Sequence, residues 1–261
     1  MDHKELIDKI TQEVMSRLDG KINLQKEASS SGQTSSFISP LELAGYIDHT
    51  LLKPDASKAQ FDTLCDEAIQ YKFYSVCVNS SWVGHVTKKL RGSGVKICAV
   101  VGFPLGAMDS RSKAFEARNA IEAGANELDM VINVGALKSK DYKLVEEDIR
   151  AIKRVCRKNT ILKVIIETGL LSDDEKVIAC ELAKKADADY VKTSTGFSGS
   201  GATVADIMLM RRTVGPDMGV KASGGIREYD QAIAMIKAGA TRIGCGASVA
   251  VVTGAKAEGN Y

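Results

Sequence analysis

Eight short segments rich in β-branched and other apolar residues recur along the chain from residue 46 onward. Their ranges are 46–50, 74–80, 95–103, 126–134, 161–168, 189–196, 219–225 and 241–248. Between them lie longer stretches with helical periodicity that end near glycine, such as residues 110–125 and 227–240. Eight alternating strand and helix units predict an α/β fold of the (β/α)8 TIM-barrel type. A doubly wound sheet is disfavoured, because no G-x-G-x-x-G turn follows the first strand.

Alternation within the predicted strands separates side chains that face the helices from side chains that face the barrel interior. Successive side chains of a strand point to opposite faces. Leu128 and Met130 share an apolar face, whereas Asp129 belongs to the mixed one. The same alternation places Lys163 and Glu167 on one face, where they could simply pair. Applied to all strands, it predicts a lumen that gathers Asp48, Cys77, Asp129, Glu167, Lys192 and Lys221.

The first 39 residues follow a different pattern. Leu6, Ile10 and Val14 recur on one helical face with charges opposite, which predicts an amphipathic helix over residues 1–20. The Ser/Gly-rich composition that follows is typical of a flexible linker, which we assign to residues 21–39. The barrel domain is then residues 40–261. Because such a short helix is marginal alone in water, its apolar stripe requires a partner.

Composition and charge exclude some partners. The 261 residues are 44% hydrophobic, enough to bury a large core. With 35 basic and 33 acidic residues the net charge is +2, which does not favour nucleic acid as a partner. No apolar run is long enough for a transmembrane helix, and the N-terminus lacks the apolar core of a secretory signal. We therefore expect neither a nucleic-acid nor a membrane partner.

Cysteine and histidine usage bears on compartment and metal content. Six dispersed cysteines without a C-x-x-C pair predict reduced thiols and a cytoplasmic protein. Three histidines are too few for a zinc site built largely on imidazole, so no metal is predicted. The shortage of histidines does not exclude a metal site built from carboxylates.

Two lysines approach the carboxyl ends of neighbouring predicted strands, Lys192 in "YVKTSTG" and Lys221 in "VKASGG". Mutual repulsion and desolvation lower the pKa of closely spaced lysines, and a neutral amine can form a Schiff base with a carbonyl. Asp129 on the fourth strand could hold a water or the second lysine for proton transfer. Buried salt bridges that only tie the barrel together are the alternative. Catalysis is favoured, because barrel active sites lie at these strand ends.

Glycine-rich segments follow the last three predicted strands. Glycine lets backbone N–H groups approach an anion, and loops after strands seven and eight commonly bind phosphate in this fold. Ordinary tight turns are the alternative explanation. The candidate phosphate-binding residues are Gly196, Ser223, Gly224, Gly225, Gly244, Gly246 and Ser248.

Four further residues are candidates for contact with a substrate. Asp48 and Thr50 end the first predicted strand and can bind hydroxyl groups, although capping the next turn accounts for them as well. Cys77 faces the lumen without a histidine to activate it, so we interpret it as a small lining residue. Thr195 follows Lys192 in the same strand-end segment.

Six segments closely resemble one enzyme family. They are "IDHTLLKP" (47–54), "VGFPLG" (101–106), "ELDMVINVGAL" (127–137), "KVIIETGLL" (163–171), "VKTSTGF" (191–197) and "VKASGGIR" (220–227). Residues 37–261 resemble the deoxyribose-phosphate aldolases in register. The resemblance implies a class I aldolase without metal or cofactor, which reversibly cleaves 2-deoxy-D-ribose 5-phosphate to acetaldehyde and D-glyceraldehyde 3-phosphate.

The resemblance also implies roles for individual residues. Lys192 is then the Schiff-base nucleophile, Lys221 depresses its pKa and helps to relay protons, and Asp129 is the general acid/base. The chain departs from the family after strand eight, where Gly246 and Ala247 replace the usual phosphate-binding hydroxyls. Backbone N–H groups there, or the hydroxyls at positions 223 and 248, could compensate.

The two termini carry separate expectations. The terminal Tyr261 could assist proton transfer, as a tail tyrosine does in some members of the family, or could belong to a disordered end. Residues 1–20 resemble the encapsulation peptides that carry enzymes into bacterial microcompartments by binding a shell protein. Docking of this helix on its own barrel or on an oligomer partner is the alternative. Acidic residues disfavour a mitochondrial presequence.

Two other functions compete with the aldolase. One is a cofactor-free isomerase or lyase that uses Asp129 and Lys192 as an acid/base pair on a sugar phosphate. The other is a barrel that binds sugar phosphates without catalysis. We also expect a homo-oligomer, whose size the sequence does not specify.

Overall fold

Eight parallel strands, hydrogen-bonded in chain order, close into a barrel in the computed structural model, which describes residues 38–255. The strands are β1 Ile47–Leu51, β2 Ser75–Val78, β3 Lys96–Val101, β4 Glu127–Val131, β5 Ile161–Ile165, β6 Tyr190–Lys192, β7 Gly219–Ser223 and β8 Arg242–Cys245. Each of the eight predicted segments overlaps one strand, so the predicted (β/α)8 barrel is confirmed. The predicted helix of residues 1–20, the linker up to residue 37 and Tyr261 lie outside the described residues.

Helices connect the strands and cover the outside of the barrel. They are α1 Pro40–Ala44, α2 Lys58–Tyr71, α3 Val83–Lys89, α4 Ser110–Ala123, α5 Val134–Lys138, α6 Tyr142–Lys153, α7 Asp173–Lys185, α8 Val204–Val214, α9 Tyr229–Lys237 and α10 Ser248–Thr253. Two short 3-10 turns lie at Ser80–Trp82 and Thr168–Leu170. Within residues 38–255, no helix has the length and apolar character needed to cross a membrane.

Local sequence sets the helix ends. The Asp109 carboxylate accepts hydrogen bonds from the Arg111 and Ser112 amides at the start of α4, and Gly124 ends that helix with φ 118°. A Thr203 side chain likewise accepts from the Asp206 amide at the start of α8. Polar caps followed by apolar-periodic segments are therefore sufficient to place these helices after their strands.

The core has an outer and an inner part. The outer part lies between strands and helices and includes the fully buried Leu128 and Met130. The inner part is a small apolar group inside the barrel, formed by Leu52, Cys77, Cys98 and Val100, with Phe103 packed against it. The predicted division of strand faces is confirmed for these positions. Most of the remaining lumen is filled by charged side chains.

Candidate active site

Strand register brings the predicted catalytic residues to one level of the lumen. Lys192 is the last residue of β6 and is paired in register with Lys221 of β7. Asp129 of β4 is paired with Lys163 of β5. Inward-facing residues of neighbouring strands therefore meet across the barrel, as the alternation predicts.

The Asp129 carboxylate lies at the centre of three lysines. Its Oδ2 atom accepts hydrogen bonds from Lys192 Nζ at 2.8 Å and from Lys221 Nζ at 2.7 Å. Its Oδ1 atom accepts from Lys163 Nζ at 2.8 Å. Because two lysines share one oxygen, their amines lie within two hydrogen-bond lengths of each other. The lysine pair predicted from the sequence is thus formed, with a carboxylate between its members.

A second layer of charges lies deeper in the barrel. Asp48 Oδ2 contacts Lys221 Nζ at 2.5 Å, and its Oδ1 atom accepts from Arg242 Nη1 at 2.8 Å and Ser75 Oγ at 2.7 Å. Asp48 is completely buried and both its oxygens are occupied. Asp48 therefore lies outside the cavity lining and holds Lys221 and Arg242, whereas the sequence predicted a substrate contact.

Glu127 completes this deeper layer. Its carboxylate contacts Lys163 Nζ at 2.6 Å and Arg242 Nη1 at 3.0 Å. The sequence interpretation that Lys163 pairs with Glu167 is wrong, because Lys163 points down to Glu127 and across to Asp129. The Arg242 guanidinium also lies over the Tyr74 ring, 3.5 Å from its centroid.

Burial and charge act in opposite directions on these groups. Burial raises the pKa of Asp129, but Lys163, Lys192 and Lys221 outweigh it and hold this pKa well below its usual range. Burial lowers the pKa of Lys221, yet the carboxylates of Asp129 and Asp48 raise it above its ordinary value. The expectation that both lysines have a lowered pKa is therefore wrong for Lys221. It rested on repulsion alone and could not include carboxylates from distant strands.

The buried charged side chains of the lumen form one network, in which one lysine differs from the others in its partners and its position. The cationic groups are Lys163, Lys192, Lys221 and Arg242, and the carboxylates are Asp48, Glu127 and Asp129. With every lysine protonated, the buried network carries one net positive charge, and loss of one proton balances it. Lys163 and Lys221 are fully buried, and each has two or more carboxylate partners. Lys192 faces a cavity, and its one carboxylate partner within residues 38–255 is Asp129.

This cavity, of about 180 Å³, opens at the carboxyl ends of β1, β6, β7 and β8. The predicted site residues that line it are Thr50, Lys192, Thr195, Ser223, Gly224, Gly225, Gly244 and Gly246. Gln60, Lys53 and Arg227 also line it. Asp129 and Lys221 do not line the cavity, but Asp129 Oδ2 accepts hydrogen bonds from both Lys192 and Lys221.

One side of the cavity has the features of an anion site. Gly224 and Gly225 adopt φ values of 88° and 77°, which favour glycine. Ser223 Oγ is buried and has no hydrogen-bond partner among residues 38–255. Lys53 and Arg227 add positive charge at the rim. Sequence reasoning missed these two cations, although both lie within the segments "IDHTLLKP" and "VKASGGIR".

Two predicted phosphate ligands are not brought to the cavity lining. Ser248 is completely buried, and its Oγ donates to the Cys245 carbonyl at 2.9 Å and lies 2.9 Å from His49 Nδ1. His49 Nε2 in turn contacts Glu67 Oε2 at 2.7 Å. The first turn of α10 directs this hydroxyl inward, which corrects its predicted role. Gly196 likewise lies outside the residues that form the cavity wall.

Thr195 reaches the cavity, but its hydroxyl is already engaged. Thr195 Oγ1 donates to Glu167 Oε2 at 2.5 Å and accepts from the Phe197 amide at 3.1 Å. The buried Glu167 follows β5 in the left-handed region, with φ 58°, which is uncommon for a residue with a Cβ. Sequence parity placed Glu167 inside the barrel but did not identify its role in holding the loop after β6.

Comparison with known proteins agrees with this geometry. The sequence profile of the DeoC/LacD family aldolases matches residues 43–254. The deoxyribose-phosphate aldolase of Streptococcus sanguinis strain SK36 is 60% identical over 221 residues, covering 85% of this chain and 100% of the relative. That of Lactococcus lactis subsp. lactis strain IL1403 is 58% identical with the same coverage. The tetrameric deoxyribose phosphate aldolase of Aeropyrum pernix superposes with a TM-score of 0.77 at 35% identity, covering 82% of this chain and 91% of that one.

Proposed function

Because the chain belongs to the DeoC/LacD family of aldolases, we propose that it reversibly cleaves 2-deoxy-D-ribose 5-phosphate to acetaldehyde and D-glyceraldehyde 3-phosphate. The observation that carries this proposal is the position of Lys192. It is the lysine of the buried network that also lines the cavity, and it shares a carboxylate oxygen with Lys221. A cofactor-free class I mechanism needs such an amine.

The covalent step starts at the C1 aldehyde of the open-chain sugar. The neutral amine of Lys192 attacks this carbon, and loss of water gives an iminium ion. The iminium then accepts the electron pair of the C2–C3 bond as the C3 hydroxyl loses its proton, which releases the three-carbon aldehyde phosphate. Protonation of the remaining enamine at C2 and hydrolysis release acetaldehyde and restore the amine.

The neighbours of Lys192 supply the proton path. Asp129 touches both Lys192 and Lys221 through one oxygen, so a proton can pass between the amines and a bound substrate along this carboxylate. Lys221, whose pKa is raised by its two carboxylates, remains protonated and keeps a positive charge beside Lys192. We further propose Tyr261 as an additional proton relay, to be tested by comparing the Tyr261→Phe variant with the wild-type chain.

We propose that the phosphate end of the substrate binds at the part of the cavity lined by Lys53, Ser223 and Arg227. The unpartnered Ser223 hydroxyl can donate to a phosphate oxygen, and Gly224 and Gly225 allow close approach of the backbone. Lys53 and Arg227 attract the dianion. In this proposal, Ser223 at the end of β7 and the residues just after β1 and β7 offset the absence of hydroxyls at positions 246 and 247.

Trapping with borohydride tests the proposal. Acetaldehyde and borohydride should leave a reduced two-carbon adduct on Lys192, seen by peptide mass spectrometry, and Lys192→Ala should abolish turnover. The Lys163→Arg variant is the control, because its charge stays in the network away from the cavity. Absence of an adduct on any lysine would favour the acid/base isomerase or the binding-only barrel.

The N-terminal extension supports a separate proposal about location. We propose that the protein is cytoplasmic and that residues 1–20 bind a shell protein of a bacterial microcompartment, on the amphipathic pattern of that segment and its linker. A reporter fused to residues 1–39 should co-sediment with assembled shells. A reporter that stays in the supernatant beside intact shells would favour docking of the helix on the enzyme itself.

We also propose a homo-oligomer. The tetramer named for the Aeropyrum pernix relative supports this, since that structure covers most of the present barrel. Analytical ultracentrifugation of the full chain tests it, and a single monomeric species at micromolar concentration would reject it.

A further inference from the structure

Two cysteines face each other inside the barrel, beside the ion network. Cys77 of β2 and Cys98 of β3 are partners in register, and both are completely buried. Neighbouring strands lie about 4.8 Å apart. This separation falls within the range of about 4.4–6.8 Å between Cα atoms that a disulfide can span. The backbone therefore does not have to move far for the two sulfurs to bond.

The pair lies beside the Asp129 carboxylate. The two Sγ atoms and an Asp129 carboxylate oxygen all lie within 4.8 Å of one another. Cys98 Sγ lies 3.1 Å from Asp129 Oδ1 and 3.3 Å from Lys163 Nζ. Leu52 packs in the same inner group as Cys77 and also lines the cavity. The inner group that holds the two thiols therefore extends to the cavity lining through Leu52.

The two thiols differ chemically. The neighbouring Cys98 side chain lowers the pKa of Cys77 against the effect of burial, and Lys221 lowers it further. Burial and the neighbouring Cys77 raise the pKa of Cys98 well above its ordinary value. Burial also raises the thiol pKa at the other four positions, to about 11 for Cys65, Cys156 and Cys245 and about 12 for Cys180. Among the six cysteines, Cys77 is the one whose surroundings favour the thiolate, the reactive form.

We propose that Cys77 and Cys98 form a dithiol that hydroperoxides oxidise to a disulfide, and that this disulfide reversibly inhibits the enzyme. The Cys77 thiolate attacks one peroxide oxygen, which gives a sulfenic acid and releases hydroxide, or an alkoxide from an organic peroxide. The Cys98 sulfur then attacks the sulfenic sulfur, its proton leaves with the hydroxyl as water, and the S–S bond forms. The thiols lose two electrons and the peroxide gains them.

The disulfide changes the group on which the proposed reaction depends. Oxidised Cys98 no longer has a proton to donate to Asp129 Oδ1, and its sulfur is drawn toward Cys77 and away from Lys163. The carboxylate that lies between Lys192 and Lys221 therefore loses one of its partners. The inhibitory part of this inference rests on the proposed function, whereas formation of the disulfide does not.

A metal ion is a less suitable occupant of the same cluster. Cys77, Cys98 and Asp129 offer three ligand atoms, but both Asp129 oxygens already accept hydrogen bonds from ammonium groups. A dication would have to approach three lysines. Oxidation needs no added positive charge, so the electrostatics of the lumen favour it.

Peroxide treatment of the wild-type chain provides the first test. We expect hydrogen peroxide to remove two hydrogens from the intact mass and to link the peptides that contain Cys77 and Cys98. Dithiothreitol should reverse both changes. If the two residues stay unlinked in protein that was folded during exposure, the proposed disulfide does not form.

Activity measurements test the inhibitory part. Peroxide should lower aldolase activity at least severalfold in the wild type and in Cys180→Ala, whose altered thiol lies outside the lumen, and dithiothreitol should restore it. Cys98→Ser should not form the intramolecular disulfide. It should therefore also lack the loss of activity that accompanies this disulfide and that dithiothreitol reverses. A linked protein with full activity would overturn inhibition. Because the link is measured by mass, its formation can be judged even if the chain has no aldolase activity.

Discussion

Lys192 and Lys221 contact the same oxygen of Asp129 but have different surroundings. Lys221 is enclosed and also contacts Asp48, whereas Lys192 faces the cavity and has a single carboxylate partner in the part of the chain that the structure describes. The difference is consistent with the proposed roles, in which Lys192 is the nucleophile and Lys221 keeps its positive charge.

Removal of Lys221 should therefore hinder imine formation. In Lys221→Leu, Lys192 is the remaining lysine that donates to Asp129 Oδ2, and its cationic neighbour is gone. The Lys192 ammonium of the variant should therefore hold its proton more firmly. We expect the pH of half-maximal imine formation to rise by about one unit, and the rate below that pH to fall about tenfold. Stopped-flow measurement of imine formation with acetaldehyde over a pH series checks this.

Lys163→Leu is the matched control for that measurement, because Lys163 is equally buried but contacts the other oxygen of Asp129. Equal pH shifts in the two variants would show that general loss of positive charge, and not the shared oxygen, controls Lys192.

The two serines near the glycine-rich ends should behave differently on substitution. Ser223→Ala removes an unpartnered hydroxyl at the cavity and should raise KM for the phosphorylated sugar about tenfold, the effect of one lost hydrogen bond to a charged group. Ser248→Ala should instead lower the free energy of unfolding by about 1 kcal/mol, because its hydroxyl bonds to Cys245 and lies beside His49. Steady-state kinetics with deoxyribose 5-phosphate and with unphosphorylated deoxyribose separate the two effects. A KM increase specific to the phosphate in Ser248→Ala would restore its predicted role.

Among the secondary-structure elements, the ends of β5 and β6 are joined by side chains. Glu167 holds Thr195 through its hydroxyl and its amide, and Thr195 holds the Phe197 amide. The Phe197 ring then packs edge-to-face on Phe103 from the loop after β3, with centroids 5.2 Å apart. This chain of contacts positions the loop that follows Lys192.

Loss of the Glu167 side chain should loosen that loop without changing the chemistry of Lys192. We expect Glu167→Ala to lower kcat/KM about tenfold or more, because small displacements near a reacting group are costly. Glu167→Gln keeps an acceptor for Thr195 and should recover most of the activity. The pH–rate profile should keep its shape in both variants. A shifted profile would instead indicate that Glu167 takes part in proton transfer.

For the molecule as a whole, the buried network links stability to pH. The pKa values of Asp129 and Asp48 are lower in the folded protein than in the unfolded chain, where a carboxyl of this type titrates near about 3.9. Their stabilisation is therefore complete above about pH 4 and is lost as the pH falls toward the folded-state values. Lys221 acts in the opposite sense, because its raised pKa stabilises the fold fully below about pH 10.

Asp129→Asn tests this linkage. The variant should lose about 3–5 kcal/mol of unfolding free energy at neutral pH, because three lysines lose a shared partner. Its stability should also fall less steeply than that of the wild type between about pH 4 and about pH 2. Chemical denaturation across this range measures both. Parallel curves for the two proteins would show that Asp129 does not carry the acid sensitivity.

The alternating pattern was sufficient to predict the barrel and the inward face of its strands. A period of two assigns each side chain to one face regardless of distant contacts, so the positions of Asp129, Lys192 and Lys221 within their strands were enough to place them in the lumen. Glycine near the strand ends likewise indicated where a phosphate could approach, because the conformational freedom of Gly224 and Gly225 is a property of the residue itself.

Which charged side chains contact each other inside the lumen was decided by closure of the barrel. Closure brings together Asp129 of β4, Lys192 of β6 and Lys221 of β7 with Asp48 of β1. The carboxylates of Asp129 and Asp48 then raise the pKa of Lys221, whereas repulsion between the lysines alone predicted a lowered pKa. The inward turn of the Ser248 hydroxyl and the contact of Glu167 with Thr195 also arise from packing between elements far apart in the chain. Periodicity assigns a side chain to a face, but distances among side chains on one face are determined by how the strands close around the lumen.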